Sequence, residues 1–201
     1  SIYPLQFIAE RSVGDTAQVQ SVYPPGVDAH THEPTSKEII DMAEGDAFIY
    51  LGGAMEGFAE NTANAIKSHD VRLIEMHPFQ ELFISTDDSH DHHEHGDVDP
   101  HFWFDPERMI IAAEIIKNEL AQLYADHADL YEKNYDQLKE ALIALDDSFQ
   151  QVMEEKTDKH IIVSHAAYGY WEEKYGITQV PVSGLTSSHE PSQKELANIV
   201  E

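Results

Sequence analysis

The chain contains no cysteine among its 201 residues. This absence excludes disulfide bonds, thiolate metal sites and cysteine nucleophiles. It leaves the cellular compartment open, because secreted and cytosolic proteins can both lack cysteine. Any transition metal would have to be bound by imidazole nitrogen or carboxylate oxygen, and the chain carries 13 histidines that could supply the former.

Basic residues are also scarce, with 12 Lys and Arg against 38 Asp and Glu and a formal net charge of −26. A nucleic-acid-binding protein needs a basic face to neutralise phosphates, so this balance excludes one except as a local patch. An anionic membrane surface would repel the chain for the same reason. Hydrophobic residues make up 41% of the sequence, which is enough for a core and excludes a disordered acidic tail.

Long apolar runs are missing as well. No stretch approaches the ~18 uninterrupted apolar residues of a membrane helix. Ser1–Glu10 has neither the basic start nor the apolar run of a signal peptide, so we expect the chain to begin at a mature or truncated end. The length suits one large domain or two small ones.

Short apolar runs alternate with helical patterns, which predicts an α/β fold with parallel sheets. Thr35 and Glu38 have capping-box spacing and mark the start of one helix. The predicted strands cover residues 17–23, 46–51, 71–75, 160–164 and 178–182, and helices are expected to begin near residues 5, 35, 55, 167 and 192.

The segment from Glu107 to Tyr168 contains no glycine or proline. Apolar residues recur in steps of four and three from Tyr131 to Val152, which predicts one helix over about residues 127–155, after a break near Ala125. At ~1.5 Å per residue this helix would be roughly 45 Å long. We expect it to run beside two lobes and brace both.

One sequence pattern occurs twice, as THEPTSKEI in Thr31–Ile39 and as SHEPSQKEL in Ser188–Leu196. Both copies place a Ser or Thr three residues before a Glu, so both are typical of a capped helix start. A coincidence of two capping motifs is one interpretation. Two related lobes are the other, and the position of the copies on either side of the long helix favours it.

Three histidines lie in the turns after predicted strands or at their ends: His30, His101 and His165. Ligands of open α/β sheets bind outside the carboxyl ends of the strands, so these positions are where a site would form. Zn²⁺ prefers four ligands, and three histidines leave one coordination position. A carboxylate there would suit storage or transport, whereas a water molecule there would suit hydrolysis.

The acidic segment Asp87–Asp99 shows no apolar periodicity and is predicted to be a flexible loop. It contains four further histidines, His90, His92, His93 and His95. Such a segment cannot enforce a single geometry, and its composition indicates a weak collector of transition metals. A solvated loop without a metal-related role is the alternative.

Five runs of the sequence match one family: YPLQFIAE, VYPPGVDAHTHEP, DAFIYLGGAMEGF, DPHFWFDPE and VSHAAYGYWEEKYGI. With these runs the chain resembles the zinc-binding receptors of bacterial ABC importers, a cluster that includes zinc- and manganese-binding lipoproteins. The resemblance covers essentially the whole chain. It implies two βα lobes with parallel sheets, joined by a long rigid helix, with the metal between the lobes.

The resemblance also implies a division of the chain. We expect an N-terminal βα lobe over residues 1–105 that contains the His-rich loop 87–99. A helical segment over 106–156 would include the long linking helix, and a partial C-terminal βα lobe would cover 157–201. The first strand of the family fold and the end of its second lobe are expected to lie outside the 201 residues.

The family's metal ligands can be carried over residue by residue. His30 matches the first ligand, His101 the second and His165 the third. Manganese receptors typically have Glu at the third place, so His165 favours Zn²⁺ over Mn²⁺. Ala29 replaces a proline that often precedes the first ligand, and His32 replaces a common tyrosine, but neither change removes a ligand.

The resemblance implies an extracytoplasmic receptor, not an enzyme, which captures Zn²⁺ and delivers it to a membrane ABC permease. It implies a monomer that is a cell-surface lipoprotein or a periplasmic protein, and the lipid anchor of the family is absent from this chain. The fourth ligand, usually a carboxylate, is expected beyond Glu201. Because histidine must be neutral to bind metal, affinity is expected to fall as the pH drops through about 6.5.

Three other functions stay open at this point. The first is a manganese receptor of the same family. The second is a zinc-dependent hydrolase, which would need a general base aimed at the metal-bound water, and the sequence has no HExxH-type pair. The third is a metal buffer that works through the His-rich loop alone, in which case deleting 87–97 would abolish tight binding.

Overall fold

The computed structural model describes residues 1–27, 29–53, 55–85 and 98–184. Helices and short strands alternate along them. The helices are α1 (Tyr3–Val13), α2 (Ser36–Ala43), α3 (Ala59–Ile66), α4 (Pro106–Leu123), α5 (Ala128–Glu154) and α6 (Gly169–Tyr175). The strands are β1 (Ala47–Tyr50), β2 (Arg72–Glu75), β3 (Ile84–Ser85), β4 (Val98–Asp99), β5 (His160–His165) and β6 (Thr178–Ser183).

The chain divides into two compact units. Unit 1 contains Ser1–Leu82 and Ile110–Leu142, and unit 2 contains Phe83–Met109 and the residues from Ile143 onward. Helices α4 and α5 therefore each contribute residues to both units. The grouping does not test the expected division into two lobes and a helical segment, which stays a prediction.

The sheet of unit 1 consists of β1 and β2, which pair in parallel with Ala47 opposite Arg72 and Tyr50 opposite Glu75. Helix α3 connects them in the chain, as the strand and helix alternation predicted. Apolar side chains of β1 and α3 form one buried cluster. Alternate residues of the strand lie on one face of the sheet, and residues three or four apart lie on one face of the helix, so each element contributes one apolar face. The cluster contains Phe48, Tyr50, Phe58, Ala59, Ala63 and Ile66.

Helix α2 begins at the predicted capping box. The Thr35 hydroxyl accepts a hydrogen bond from the Glu38 backbone N–H at 3.3 Å, and the Glu38 carboxylate accepts one from the Thr35 N–H at 2.6 Å. Two N–H groups that a helix start leaves without intrahelical partners are thus satisfied reciprocally. This sequence prediction is confirmed.

The strand predicted over residues 17–23 is wrong, because these residues form no strand. Alternation of apolar and polar residues indicates which side chains share a face, but a strand also needs a hydrogen-bonded neighbour. Ser21 instead makes local bonds: its hydroxyl donates to the Ser1 carbonyl at 3.2 Å and accepts from the Tyr23 N–H at 3.1 Å. Serine side chains commonly compete with sheet pairing in this way.

The long helix is confirmed as α5, which spans 27 residues and follows a 3₁₀ turn at Ala125–His127. Tyr131 is fully buried in unit 1, and the buried stripe continues as far as Leu142. Beyond that point the apolar stripe is covered only in part. Leu145 is 56% and Val152 49% exposed, whereas Phe149 between them packs on Trp171 and Tyr175, with ring centroids 4.8 and 4.5 Å apart.

The described residues of unit 2 form two pairs of strands. β3 and β4 pair antiparallel, and β5 and β6 pair parallel with His165 opposite Ser183 at the carboxyl ends. Helix α6 lies between β5 and β6 in the chain and ends at Gly176, whose φ of +65° is the left-handed conformation common after a helix. No helix among the described residues is long and apolar enough to span a membrane.

Candidate metal centre

His101 lies two residues after the end of β4 and is almost completely buried, with 2% of its surface exposed. Asp99, the last residue of β4, holds it in place. Oδ1 of Asp99 lies 2.6 Å from Nδ1 of His101 and 2.9 Å from its backbone nitrogen. The carboxylate thus fixes both the backbone and the ring of His101.

This contact determines which nitrogen of His101 can bind a metal. A neutral imidazole carries one N–H, and a carboxylate at 2.6 Å from Nδ1 places it there. Nε2 then presents its lone pair, which is the form that a metal ion requires. Histidine ligands of metals commonly donate their other N–H to a carboxylate in this way, which fixes the ring orientation and raises ligand basicity.

Two residues of α6 determine the position of Asp99: Tyr170 binds it, and Gly169 leaves space for it. The Tyr170 hydroxyl donates to the Asp99 carbonyl oxygen at 2.6 Å and accepts from the Ile84 N–H at 3.2 Å, and burial raises the pKa of this hydroxyl. A Cβ on Gly169 would lie 2.8 Å from Oδ2 of Asp99, closer than real Cβ contacts allow. The absence of a side chain at Gly169 therefore makes room for the carboxylate.

His165 lies at the carboxyl end of β5, as predicted, and is partly buried. Its Nδ1 lies 3.2 Å from the Ser164 hydroxyl oxygen. The centroid of its ring is 5.3 Å from that of His101. Two segments of unit 2 that are far apart in sequence therefore bring two imidazoles together.

The separation of these two rings can be compared with what one zinc ion would need. With Zn–N bonds of ~2.0–2.1 Å, each ring centroid would lie about 3.2 Å from the ion, and a tetrahedral angle would separate the centroids by about 5.2 Å. The observed 5.3 Å between His101 and His165 fits this value. Their arrangement suits two ligands of a single tetrahedral ion.

His30 lies in unit 1, in a turn of the irregular segment between Pro24 and α2, and is partly buried. The ring of His32, two residues on, packs on Tyr23 at 5.2 Å and on Phe58 at 6.1 Å between centroids. Nε2 of His32 is enclosed and has no hydrogen-bond partner among the described residues.

The other predicted metal-capturing residues lie outside the described residues: His90, His92, His93 and His95.

The sequence reasoning missed Asp99, which it assigned to the acidic loop, although the D-x-H spacing to His101 was a usable signal. It also left Glu56 without a role. This carboxylate is fully buried in unit 1 and accepts hydrogen bonds from the Leu51 N–H and the hydroxyls of Ser1 and Tyr23.

The whole chain, residues 1–201, matches the family described as ZnuA, the periplasmic component A of the zinc-uptake complex. The chain belongs to the ZnuA family. The predicted resemblance to zinc-binding receptors of bacterial ABC importers is thereby confirmed.

Two curated relatives show how much of the family's length this chain covers. It is 30% identical over 207 residues to the zinc-binding lipoprotein AdcA of Streptococcus pneumoniae, an alignment that spans 100% of this chain and 41% of AdcA. It is 28% identical over 209 residues to the high-affinity zinc uptake system protein ZnuA of Bacillus subtilis, which covers 99% of this chain and 64% of that protein. The chain thus spans less than two thirds of either relative.

A solved structure of the family supports the fold. The Zn(II)-bound ZnuA-like domain of Streptococcus pneumoniae AdcA is 29% identical and superposes with a TM-score of 0.78, over 98% of this chain and 70% of that one. The predicted α/β class with parallel sheets is therefore confirmed for this member of the ZnuA family.

Proposed function

We propose that this chain is the zinc-capturing part of an extracytoplasmic receptor that delivers Zn²⁺ to an ABC-type permease. Zn²⁺ is the cargo, and the role requires binding and release rather than a chemical reaction. Membership of the ZnuA family and the similarity to the high-affinity zinc uptake protein of Bacillus subtilis support this role. The observation that carries the proposal is the spacing of His101 and His165, which fits two ligands of one tetrahedral ion.

The proposed ligands are His30, His101 and His165, each binding through one imidazole nitrogen. Asp99 supports the second of them, because it holds the His101 proton on Nδ1 and leaves Nε2 for the metal. A fourth donor, a carboxylate or a water molecule, would complete the tetrahedron. The histidines of the acidic loop would assist capture at low zinc concentration.

Zinc is favoured over manganese by the chemistry of the donors. Three imidazoles form a borderline-soft, nitrogen-rich site that suits Zn²⁺, whereas Mn²⁺ prefers carboxylate and water oxygens. A hydrolytic function would need a carboxylate or second histidine free to act as a base on a metal-bound water. The Asp99 carboxylate is committed to His101 instead.

The test is zinc affinity, measured by competition with a chromophoric chelator, for the unmodified protein and for His30→Ala, His101→Ala and His165→Ala. Removing a ligand should weaken binding by more than the ~10–100-fold that loss of an outer-shell partner causes. His160→Ala is the matched control, because His160 begins the strand that His165 ends and is exposed. Equal affinities for His165→Ala and His160→Ala would refute the proposed ligand set.

A further inference from the structure

Glu56 is a buried carboxylate outside the proposed ligand set, and all of its surface is removed from solvent. Oε2 accepts a hydrogen bond from the Leu51 N–H at 2.6 Å, directly after β1. Oε1 accepts from the Ser1 hydroxyl at 2.8 Å and from the Tyr23 hydroxyl at 2.9 Å. A buried charge is tolerated only when it is hydrogen-bonded, so these donors fix the carboxylate relative to the sheet of unit 1.

Tyr23 connects this carboxylate to the residues on both sides of His30. Its hydroxyl oxygen lies 3.3 Å from the carbonyl oxygen of Ala29, the residue before His30. Its ring packs on the ring of His32, two residues after His30, with centroids 5.2 Å apart. The Tyr23 hydroxyl has one proton, which it shares between two acceptors: Oε1 of Glu56, the nearer one, and the carbonyl oxygen of Ala29, the farther one.

The segment that carries His30 has no regular structure of its own. Among the described residues from 17 to 35, no helix or strand supplies a backbone ladder to hold it. Fixing the backbone of such a segment costs conformational entropy, and a site ordered only by its ligand binds more weakly for that reason. Contacts that order the segment before the metal arrives therefore strengthen binding.

We propose that Tyr23, anchored by the buried carboxylate of Glu56, is a positioning residue that pre-orders the His30 turn for zinc. The inference rests on the proposed function, since it assumes that His30 binds the metal. Tyr23 itself does not contact the ion. It acts by holding Ala29 through its hydroxyl and His32 through its ring, so that His30 lies between two fixed neighbours.

The first measurement compares Tyr23→Phe with the unmodified protein by chelator competition. The substitution keeps the ring that packs on His32 and Phe58 and removes only the hydroxyl. We expect zinc affinity to fall about 3–10-fold, the range that corresponds to one hydrogen bond. Tyr50→Phe is the matched control. The hydroxyl that it removes also donates to a carboxylate of unit 1, that of Glu75, at 3.3 Å.

A double-mutant cycle separates positioning of His30 from a general loss of stability. If Tyr23 acts through His30, Tyr23→Phe lowers affinity in the unmodified protein and has no further effect in the His30→Ala background. Glu56→Gln, which keeps the shape and weakens the bond to Tyr23, should follow the same pattern with a smaller effect. Unfolding midpoints of the metal-free variants give the stability of each.

The outcomes distinguish the two proposals. If His30→Ala alone leaves zinc affinity unchanged, the proposed ligand set is wrong and the positioning role falls with it. If His30→Ala weakens binding but Tyr23→Phe behaves like Tyr50→Phe, only the positioning role is overturned. An equal loss from Tyr23→Phe in both backgrounds also overturns it, because the effect would not depend on His30.

Discussion

Asp99 and His101 form a contact that the chain makes a second time at Asp158 and His160. In each pair one carboxylate oxygen lies close to both the backbone nitrogen and Nδ1 of the histidine two residues later. The distances to the backbone nitrogen and to Nδ1 are 2.9 and 2.6 Å for Asp99 and His101. For Asp158 and His160 they are 3.1 and 2.7 Å. The first pair is buried and the second is exposed. The same local geometry thus exists with and without a neighbouring imidazole.

This repetition provides a matched test of Asp99. Asp99→Asn removes the charge that holds the proton on Nδ1 of His101 and should lower zinc affinity about 10–100-fold, as for other outer-shell partners. Asp158→Asn makes the same chemical change at the exposed pair and should leave affinity unchanged. Chelator competition measures both, and similar affinities for the two variants would show that Asp99 has no role in binding.

Gly169→Ala should disturb the metal centre from α6. The new Cβ would lie 2.8 Å from Oδ2 of Asp99 and 3.3 Å from Cδ1 of Ile84, so the carboxylate has to move. Overpacking of this kind typically costs about 1–3 kcal/mol, part of which we expect to appear as weaker zinc binding. Gly45→Ala is the control, because its nearest neighbour, the Met42 carbonyl oxygen, is at an ordinary 3.4 Å. Unchanged zinc affinity in Gly169→Ala would contradict the tight packing around Asp99.

His165→Glu should shift metal preference towards manganese. The substitution exchanges an imidazole nitrogen for carboxylate oxygens, which are harder donors and suit Mn²⁺ better. We expect the ratio of zinc to manganese affinity, measured by direct competition between the ions, to fall relative to the unmodified protein. His165→Gln removes the imidazole without adding charge. If Glu and Gln at this position give the same ratio, donor hardness is not what sets selectivity.

Thr35→Ala tests the cap of α2. Loss of an N-cap hydroxyl costs about 1 kcal/mol, which should lower the midpoint of denaturant unfolding, whereas Thr35→Ser keeps the hydroxyl and should be close to the unmodified protein. A midpoint for Thr35→Ala equal to that of Thr35→Ser would show that the cap does not stabilise the fold.

The same cap makes a prediction about pH. The Glu38 carboxylate accepts hydrogen bonds from the backbone N–H of Thr35 and, with a smaller effect, from its hydroxyl. Both lower the pKa of Glu38 below its usual 4.5. A carboxyl with a lowered folded pKa stabilises the fold above its unfolded pKa, and this contribution is lost as the pH falls through the folded value. The difference in unfolding midpoint between the unmodified protein and Thr35→Ala should therefore narrow below about pH 4.5. A difference that stays constant down to pH 3 would contradict this.

Local signals in the sequence predicted local structure well. The spacing of Thr35 and Glu38 specifies a helix start through bonds between those two residues alone. The strand expected over 17–23 failed because a strand depends on a partner, which the alternating pattern of the segment does not contain. The exposed Leu145 shows the same limit, since helical periodicity does not reveal which residues of an apolar stripe are covered.

The sequence singled out His101 and His165 because of their family motifs and, for His165, the strand before it. The structure places the two rings 5.3 Å apart, and their role as ligands stays a prediction. Asp99 was overlooked because in the sequence it is one of many acidic residues around the His-rich loop, and its burial and its contact with His101 appear only in the structure. The sequence offered Glu56 as a candidate to support the site but gave no reason to choose it, because its contact with Tyr23 joins residues 33 positions apart along the chain.

The bond between Glu56 and the Leu51 N–H gives the chain a built-in reporter. An amide hydrogen held at 2.6 Å by a buried carboxylate exchanges with solvent only when that carboxylate is released. Glu56 is also held by the hydroxyls of Ser1 and Tyr23, so loosening of the His30 segment should reach Leu51 before the rest of the sheet opens. We therefore expect the exchange rate of the Leu51 amide to rise when the His30 segment is less ordered in the metal-free protein.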